Sequence, residues 1–173
     1  MTEKITNILN NQIKEEFYSS YLYLALAAKL EEWNLKGAAN WMLIQAQEEV
    51  DHALGFFKFL GERGVAVKLE AIDKPVANPK NIQEVFEAGL KHEQLITSLI
   101  NKIYEAAQAE KDYALVSFIK WYIDEQVEEE ANATEMIAQI KLIGADGSAL
   151  YLLDKELAGR TYIPSGPYAA SAK

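Results

Sequence analysis

The sequence has no cysteine. Disulfides, thiolate zinc sites and iron–sulfur clusters are therefore excluded, and any metal it binds must be held by oxygen or imidazole nitrogen. Imidazole is itself scarce, with 2 histidines, His52 and His92. The 4 prolines fall at positions 75, 79, 164 and 167, which leaves long stretches free of the strongest helix breaker. No run of about 18 apolar residues occurs, so no membrane-spanning helix is expected. The amino terminus, Met1-Thr2-Glu3-Lys4-Ile5, lacks the apolar stretch of a secretion signal, and a cytoplasmic protein is the simplest reading. Basic residues are in the minority, 17 against 26 acidic, giving a net charge of -9. That balance disfavours nucleic acid and anionic membrane as partners and suits the attraction of cations.

What is present reads as one all-α domain. With half of its 173 residues apolar, the chain can bury a core of its own. Residues 2–33 form one long helical segment, and its apolar line steps by 4 and 3 through Ile5, Leu9, Gln12, Glu16, Ser19, Tyr23, Leu26 and Leu30. After a tight connection at 34–37, a second segment reaches Arg63 and stops at Gly64, along Ala38, Met42, Gln45, Glu49, His52, Phe56 and Phe59. The third, 82–110, carries Ile82, Phe86, Gly89, Glu93, Ile96, Ile100, Ile103 and Ala107. The fourth begins after a turn at 111–113, with Asp112 as its N-cap, and ends near Ile143. Its line runs Val116, Ile119, Ile123, Gln126, Glu129, Ala133, Ile137 and Ile140. Residues 148–158 make a short leucine-rich fifth helix, which covers the bundle's end or serves oligomer packing. The tail, 159–173, is read as irregular and mobile.

Residues 65–80 lack a helical period, and a structureless connection of that length needs a reason. A helix of the second segment's size is roughly 40 Å long. The connection, fully extended, spans up to ~55 Å. It can therefore run the length of a four-helix bundle and leave the second and third helices parallel.

Each long helix interrupts its apolar line near its midpoint: Glu16; Glu49 with His52; Glu93; Gln126 with Glu129. The run Asp124-Glu125-Gln126-Val127-Glu128-Glu129-Glu130 shows the conflict best, because the stripe on either side of it carries Gln126 and Glu129 onto the buried face. Buried carboxylates are costly unless paired or bound to a metal. In a bundle of equal helices the midpoints share one level, so these groups form a single central layer. Carboxylates with imidazole suit octahedral iron or manganese, and the Glu49/His52 spacing aims both side chains at one centre. Di-iron bundles use glutamates from two helices and Glu-x-x-His from the other two. Here Gln126-x-x-Glu129 replaces the second Glu-x-x-His, which predicts a weaker second position held mainly by Glu93 and Glu129.

Glu16-Phe17-Tyr18-Ser19-Ser20, Gln47-Glu48-Glu49-x-x-His52, Lys91-His92-Glu93-Gln94 and Trp121-Tyr122-x-x-Glu125-Gln126-x-x-Glu129 together resemble the non-haem bacterial and archaeal ferritins. The likeness extends from about Ile5 to Leu157 and includes Leu153-Asp154-Lys155-Glu156-Leu157. It implies a ferritin-like four-helix bundle with a long crossover between the second and third helices and a short fifth helix. It also implies a ferroxidase that oxidises Fe(II) with dioxygen or hydrogen peroxide and stores Fe(III) as an oxide mineral in a homo-oligomeric shell of 24 subunits. By that likeness Glu16, Glu49 and His52 hold the first of two irons per subunit. Glu49 bridges to the second, held by Glu93 and Glu129, with Gln126 either a ligand or a hydrogen-bonding neighbour. Glu48, Glu125 and Glu128 match a possible third iron position; by spacing alone they are equally a solvated face. Tyr23 matches a redox tyrosine, with a packed aromatic as the plain reading. Trp121 reads as packing, and His92 as a surface residue pointing away from the centre.

Several relatives with other chemistry are disfavoured. Haem binding would need a methionine where Val50 stands, so no haem is expected. A DNA-protecting mini-ferritin does not fit the fifth helix or the missing basic tail, and a rubrerythrin-like enzyme would need cysteine. The remaining alternative is a non-storage di-iron oxidase or peroxidase.

Overall fold

The structure, a computed structural model, describes residues 1–169. Five helices follow one another: α1 (Glu3–Glu32), α2 (Lys36–Glu62), α3 (Ile82–Ala109), α4 (Tyr113–Ile143) and α5 (Gly147–Leu157), with no strand among the described residues. Most helix starts are set by a side chain accepting from an otherwise unpaired backbone N–H. Thr2, Asn81, Asp112 and Asp146 do this for α1, α3, α4 and α5. α2 has no cap of its own. Asp154 of α5 supplies it, with Ala38 N donating to Oδ1 at 2.9 Å. α5 approaches so closely because residue 37 is glycine; a Cβ there would lie 1.6 Å from Asp154 O. Gly64, at φ +67°, ends α2 in the left-handed conformation that glycine adopts without strain.

Contacts between helices fix their directions. Thr2, which caps α1, bonds to Glu110 at the far end of α3 (2.6 Å), while Ser19 meets His92 at mid-helix (2.7 Å). Arg63 beyond α2 pairs through both its terminal nitrogens with Asp112 before α4 (2.9 Å each). Further along the same seam, Gln45 meets Glu129. α1 is thus antiparallel to α2 and α3, α2 antiparallel to α4, and α2 parallel to α3. Residues 65–80 supply the crossover, tacked to α1 where Lys68 N donates to Asn10 Oδ1 at 2.7 Å.

The apolar core is in two parts. One, around Leu26, Leu30, Met42 and Phe86, extends to Leu153 and Leu157 of α5. The other lies around Leu9, Phe56, Ile100 and Ile119. The polar layer separates them. All residues named above on the α1, α2 and α3 lines are buried. On α4 the line turns slightly. Leu115 and Tyr122 are buried at 0% and 1% exposure, whereas Val116 and Ile123 are half-buried. Positions 115/119/122/126 and 116/119/123/126 fit a helical stripe equally well. Tyr122 wins because its hydroxyl can donate to His52 O inside the bundle, at 2.8 Å.

The tail departs from expectation. Residues 160–168 are irregular, but they lie along α2, tied to it by side-chain bonds from Arg160, Tyr162 and Tyr168. The last part of the tail, 170–173, is outside the described residues. No helix among the described residues is long and apolar enough to cross a membrane.

Candidate metal centre

Among the described residues, one ligand-sized cluster stands in the polar layer. Glu16 of α1 and Glu49 and His52 of α2 each place a potential ligand atom within 4.8 Å of the others, and all three are buried. His52 Nδ1 faces this cluster, 3.3 Å from Glu49 Oε2. Gln12, one turn before Glu16, donates from Nε2 to Glu16 Oε1 at 3.0 Å. The other Glu16 oxygen, Oε2, is buried without a hydrogen-bond partner. A buried carboxyl oxygen without a hydrogen-bond partner, on a side chain within ligand reach of Glu49 and His52, has the geometry of a metal ligand.

Glu93 of α3 and Glu129 of α4 are buried in the same layer but lie outside that tight group. Tyr23 OH donates to Glu93 Oε1 at 2.5 Å, and Gln126 Nε2 donates to Glu93 Oε2 at 3.1 Å. The same amide reaches Glu93 O at 3.2 Å and Thr97 Oγ1 at 3.4 Å. Gln45 Nε2 donates to Glu129 Oε2 at 2.8 Å. Gln126 thus sits as an orienting donor on Glu93. Each of Glu16, Glu93 and Glu129 has one neutral amide fixing its rotamer, which positions charge without adding any.

Burial governs the protonation of this layer. Desolvation first, and then the neighbouring Glu49 charge, push the Glu16 carboxyl up to about 8. Desolvation followed by repulsion from Glu93 drives Glu49 and Glu129 well above the usual carboxylate range. Without a cation the layer therefore holds protons, and a metal must displace them to bind. Burial likewise keeps the Tyr23 phenol protonated far beyond its ordinary range.

The outlying acids stand differently. Glu48 and Glu125 are half-buried and Glu128 is exposed. These three do not form a group of ligand distance among the described residues. Glu48 is instead bonded by Arg160 Nη2 at 2.7 Å, and Glu125 Oε1 accepts from Ser165 Oγ at 3.3 Å. Trp121 sets its ring edge-on to His52, with centroids 5.4 Å apart.

Two expectations are corrected or extended here. His92 is not a surface residue: it is 7% exposed, and its Nε2 lies 2.7 Å from Ser19 Oγ. One position round from Glu93, it falls in the α1–α3 seam, where desolvation lowers its pKa. Gln12 and Gln45 were visible on the apolar lines, each a polar break one turn before a glutamate, yet their orienting role needed the fold. Nothing in the sequence pattern pointed to Ser165 or Arg160, since the tail has no periodicity.

The chain matches the Ferritin-like domain family over residues 6–143. It is similar to a probable bacterial non-heme ferritin-like protein of Haemophilus influenzae, with 37% identity over 157 residues, 91% of this chain and 95% of that one. A bacterial non-heme ferritin of Campylobacter jejuni is 38% identical over 155 residues, covering 90% and 93%. Among solved structures, an Archaeoglobus fulgidus ferritin engineered into a closed form superposes with a TM-score of 0.92 at 44% identity, covering 94% of this chain and 99% of that one. The open-pore ferritin of that archaeon gives 0.91 at 44% identity, covering 93% and 98%.

Proposed function

Since this chain belongs to the ferritin-like family, we propose that it oxidises Fe(II) at the centre enclosed by α1, α2, α3 and α4 and stores the Fe(III) as an oxide mineral inside a homo-oligomeric shell. The observation that carries this reading is the buried convergence of Glu16, Glu49 and His52, whose ligand atoms lie within 4.8 Å of one another in a layer that offers oxygen and imidazole ligands. Such donors take ferrous iron and favour the ferric product more strongly.

In this reading Glu16, Glu49 and His52 Nδ1 hold the first substrate iron. Glu93 and Glu129 hold the second, with Glu49 shared between the two. Binding expels the protons that burial keeps on Glu16, Glu49 and Glu129. Each Fe(II) gives up one electron; two electrons and two protons reduce one dioxygen to hydrogen peroxide, or one hydrogen peroxide to two waters. The hydrogen bond from the Tyr23 hydroxyl to Glu93 Oε1 supports the redox role that the family likeness gives this tyrosine, with Glu93 as the acceptor of its phenol proton. Gln126, Gln45 and Gln12 keep the carboxylates in position throughout.

The test is anaerobic loading with Fe(II), then air, followed by a sizing column with iron and protein measured in every fraction. A particle near 24 subunits carrying hundreds of iron atoms is the expected result. A small oligomer with about two irons per chain would retain the centre, discard storage and favour an oxidase acting on another substrate.

A further inference from the structure

The strap formed by residues 160–168 follows α2 turn by turn. Arg160 lies over the Trp41 ring (4.6 Å to the centroid) and donates to Trp41 O and Glu48. Asp51 Oδ2 accepts from both Tyr162 OH at 2.5 Å and Ser165 N at 3.0 Å. Pro167 passes above Gly55, where a Cβ would meet its ring at 3.3 Å. Tyr168 donates to Glu62 Oε2 at 2.7 Å, with Lys58 Nζ over its ring. At the middle of this path Ser165 Oγ sits 3.5 Å from His52 Nε2 and 3.3 Å from Glu125 Oε1.

Glu48 and Glu125 are the acids that the family likeness assigns, with Glu128, to a third iron. Both turn toward the strap, and the three do not converge. We propose that the strap occupies this third position itself. The Arg160 guanidinium takes the cation's place on Glu48, and Ser165 Oγ caps the pair of His52 Nε2 and Glu125 Oε1, which stand 3.7 Å apart. A divalent ion and a guanidinium compete for the same Glu48 oxygens and repel one another, so they exclude each other there. Iron reaches the third position only when the strap lifts, and its affinity is reduced by the fraction of time the strap is closed. Arg160 and Ser165 are thereby positioning residues that control access to the third position. The inference rests on the proposed metal centre.

The test uses full-length protein and Zn(II), which cannot change oxidation state. Calorimetric titration counts the ions per chain, and hydrogen exchange follows the Ser165 amide, which is bonded to Asp51. The expected result is two tight ions with the Ser165 amide protected, and a third, weaker ion whose binding removes that protection. Arg160→Gln combined with Ser165→Ala should tighten the third ion by about tenfold or more relative to the first two. Arg160→Lys, keeping the charge, should restore weak third binding. Unchanged third-ion affinity in the double variant, or third-ion binding with Ser165 still protected, overturns the strap's role. Loss of the first two ions in the unmodified chain overturns the metal-centre reading, and this inference with it.

Discussion

Glu16 is the clearest case of a side chain kept against its own solvation. Its carboxyl is pushed up to about 8, chiefly by burial, so it holds a proton in the folded chain at pH values where the unfolded chain does not. An acid whose folded value is raised gives its full stability below its ordinary value of 4.5, and that stability is lost as pH rises toward about 8. Glu49 and Glu129 act in the same direction. Metal-free protein in chelator should therefore melt at progressively lower temperature from mildly acid to mildly alkaline pH, and Glu16→Gln should flatten that slope. Melting curves across pH decide it; a flat profile in the parent chain would remove the protonated layer from the account. Replacing Glu49 and His52 together by Ala should lower the rate of Fe(III) formation by about a hundredfold or more and leave the helical circular dichroism intact. Stopped-flow absorbance reads this directly, and fast oxidation surviving in that variant would move the site elsewhere.

At the scale of elements, α5 is more than a cover on the bundle. Through Asp154 it completes the start of α2, which has no cap of its own. Asp154→Ala should cost ~1 kcal/mol, the usual value of a lost helix cap. Gly37→Ala should cost more, about 1–3 kcal/mol, because the new methyl collides with rigid backbone of α5. Denaturant unfolding of both variants checks the order; a harmless Gly37→Ala would mean that α5 does not press against α2 at residue 37. At the opposite end, Arg63 and Asp112 clamp the end of α2 to the start of α4. Asp112, held below its usual value by the Arg63 hydrogen bonds, loses its contribution as pH falls below about 4, opposite in sign to Glu16.

For the whole molecule, exposed apolar residues on α5 and at the end of α4 bear on assembly. Tyr151 and Leu152 on α5 are 60% and 67% exposed, and Leu142 at the end of α4 is 89% exposed. Apolar groups left bare on adjoining elements are suited to contact with other copies. If the proposed shell packs through α5, Leu152→Glu should break it into smaller oligomers while the helices and the first two metal positions survive. Sedimentation velocity with a parallel Zn(II) titration distinguishes this from unfolding, and an undiminished particle would place the contacts on another face.

The sequence by itself determined the helices, the crossover and the central layer. Those depend on spacing along one helix at a time, and a glutamate on an apolar line is legible wherever the line is strong. Phase was harder where a helix is apolar on more than one side, and so α4 buries Tyr122 rather than Ile123. Only the tertiary structure decided what lies one position off the lines. His92 became a seam residue because α1 covers it, and Asp154 became the cap of α2 because residue 37 is glycine. The strap is the extreme example. Its bonds to α2 join residues more than a hundred positions apart with no period to announce them, so only the folded chain brings Arg160 to Glu48 and Ser165 to His52.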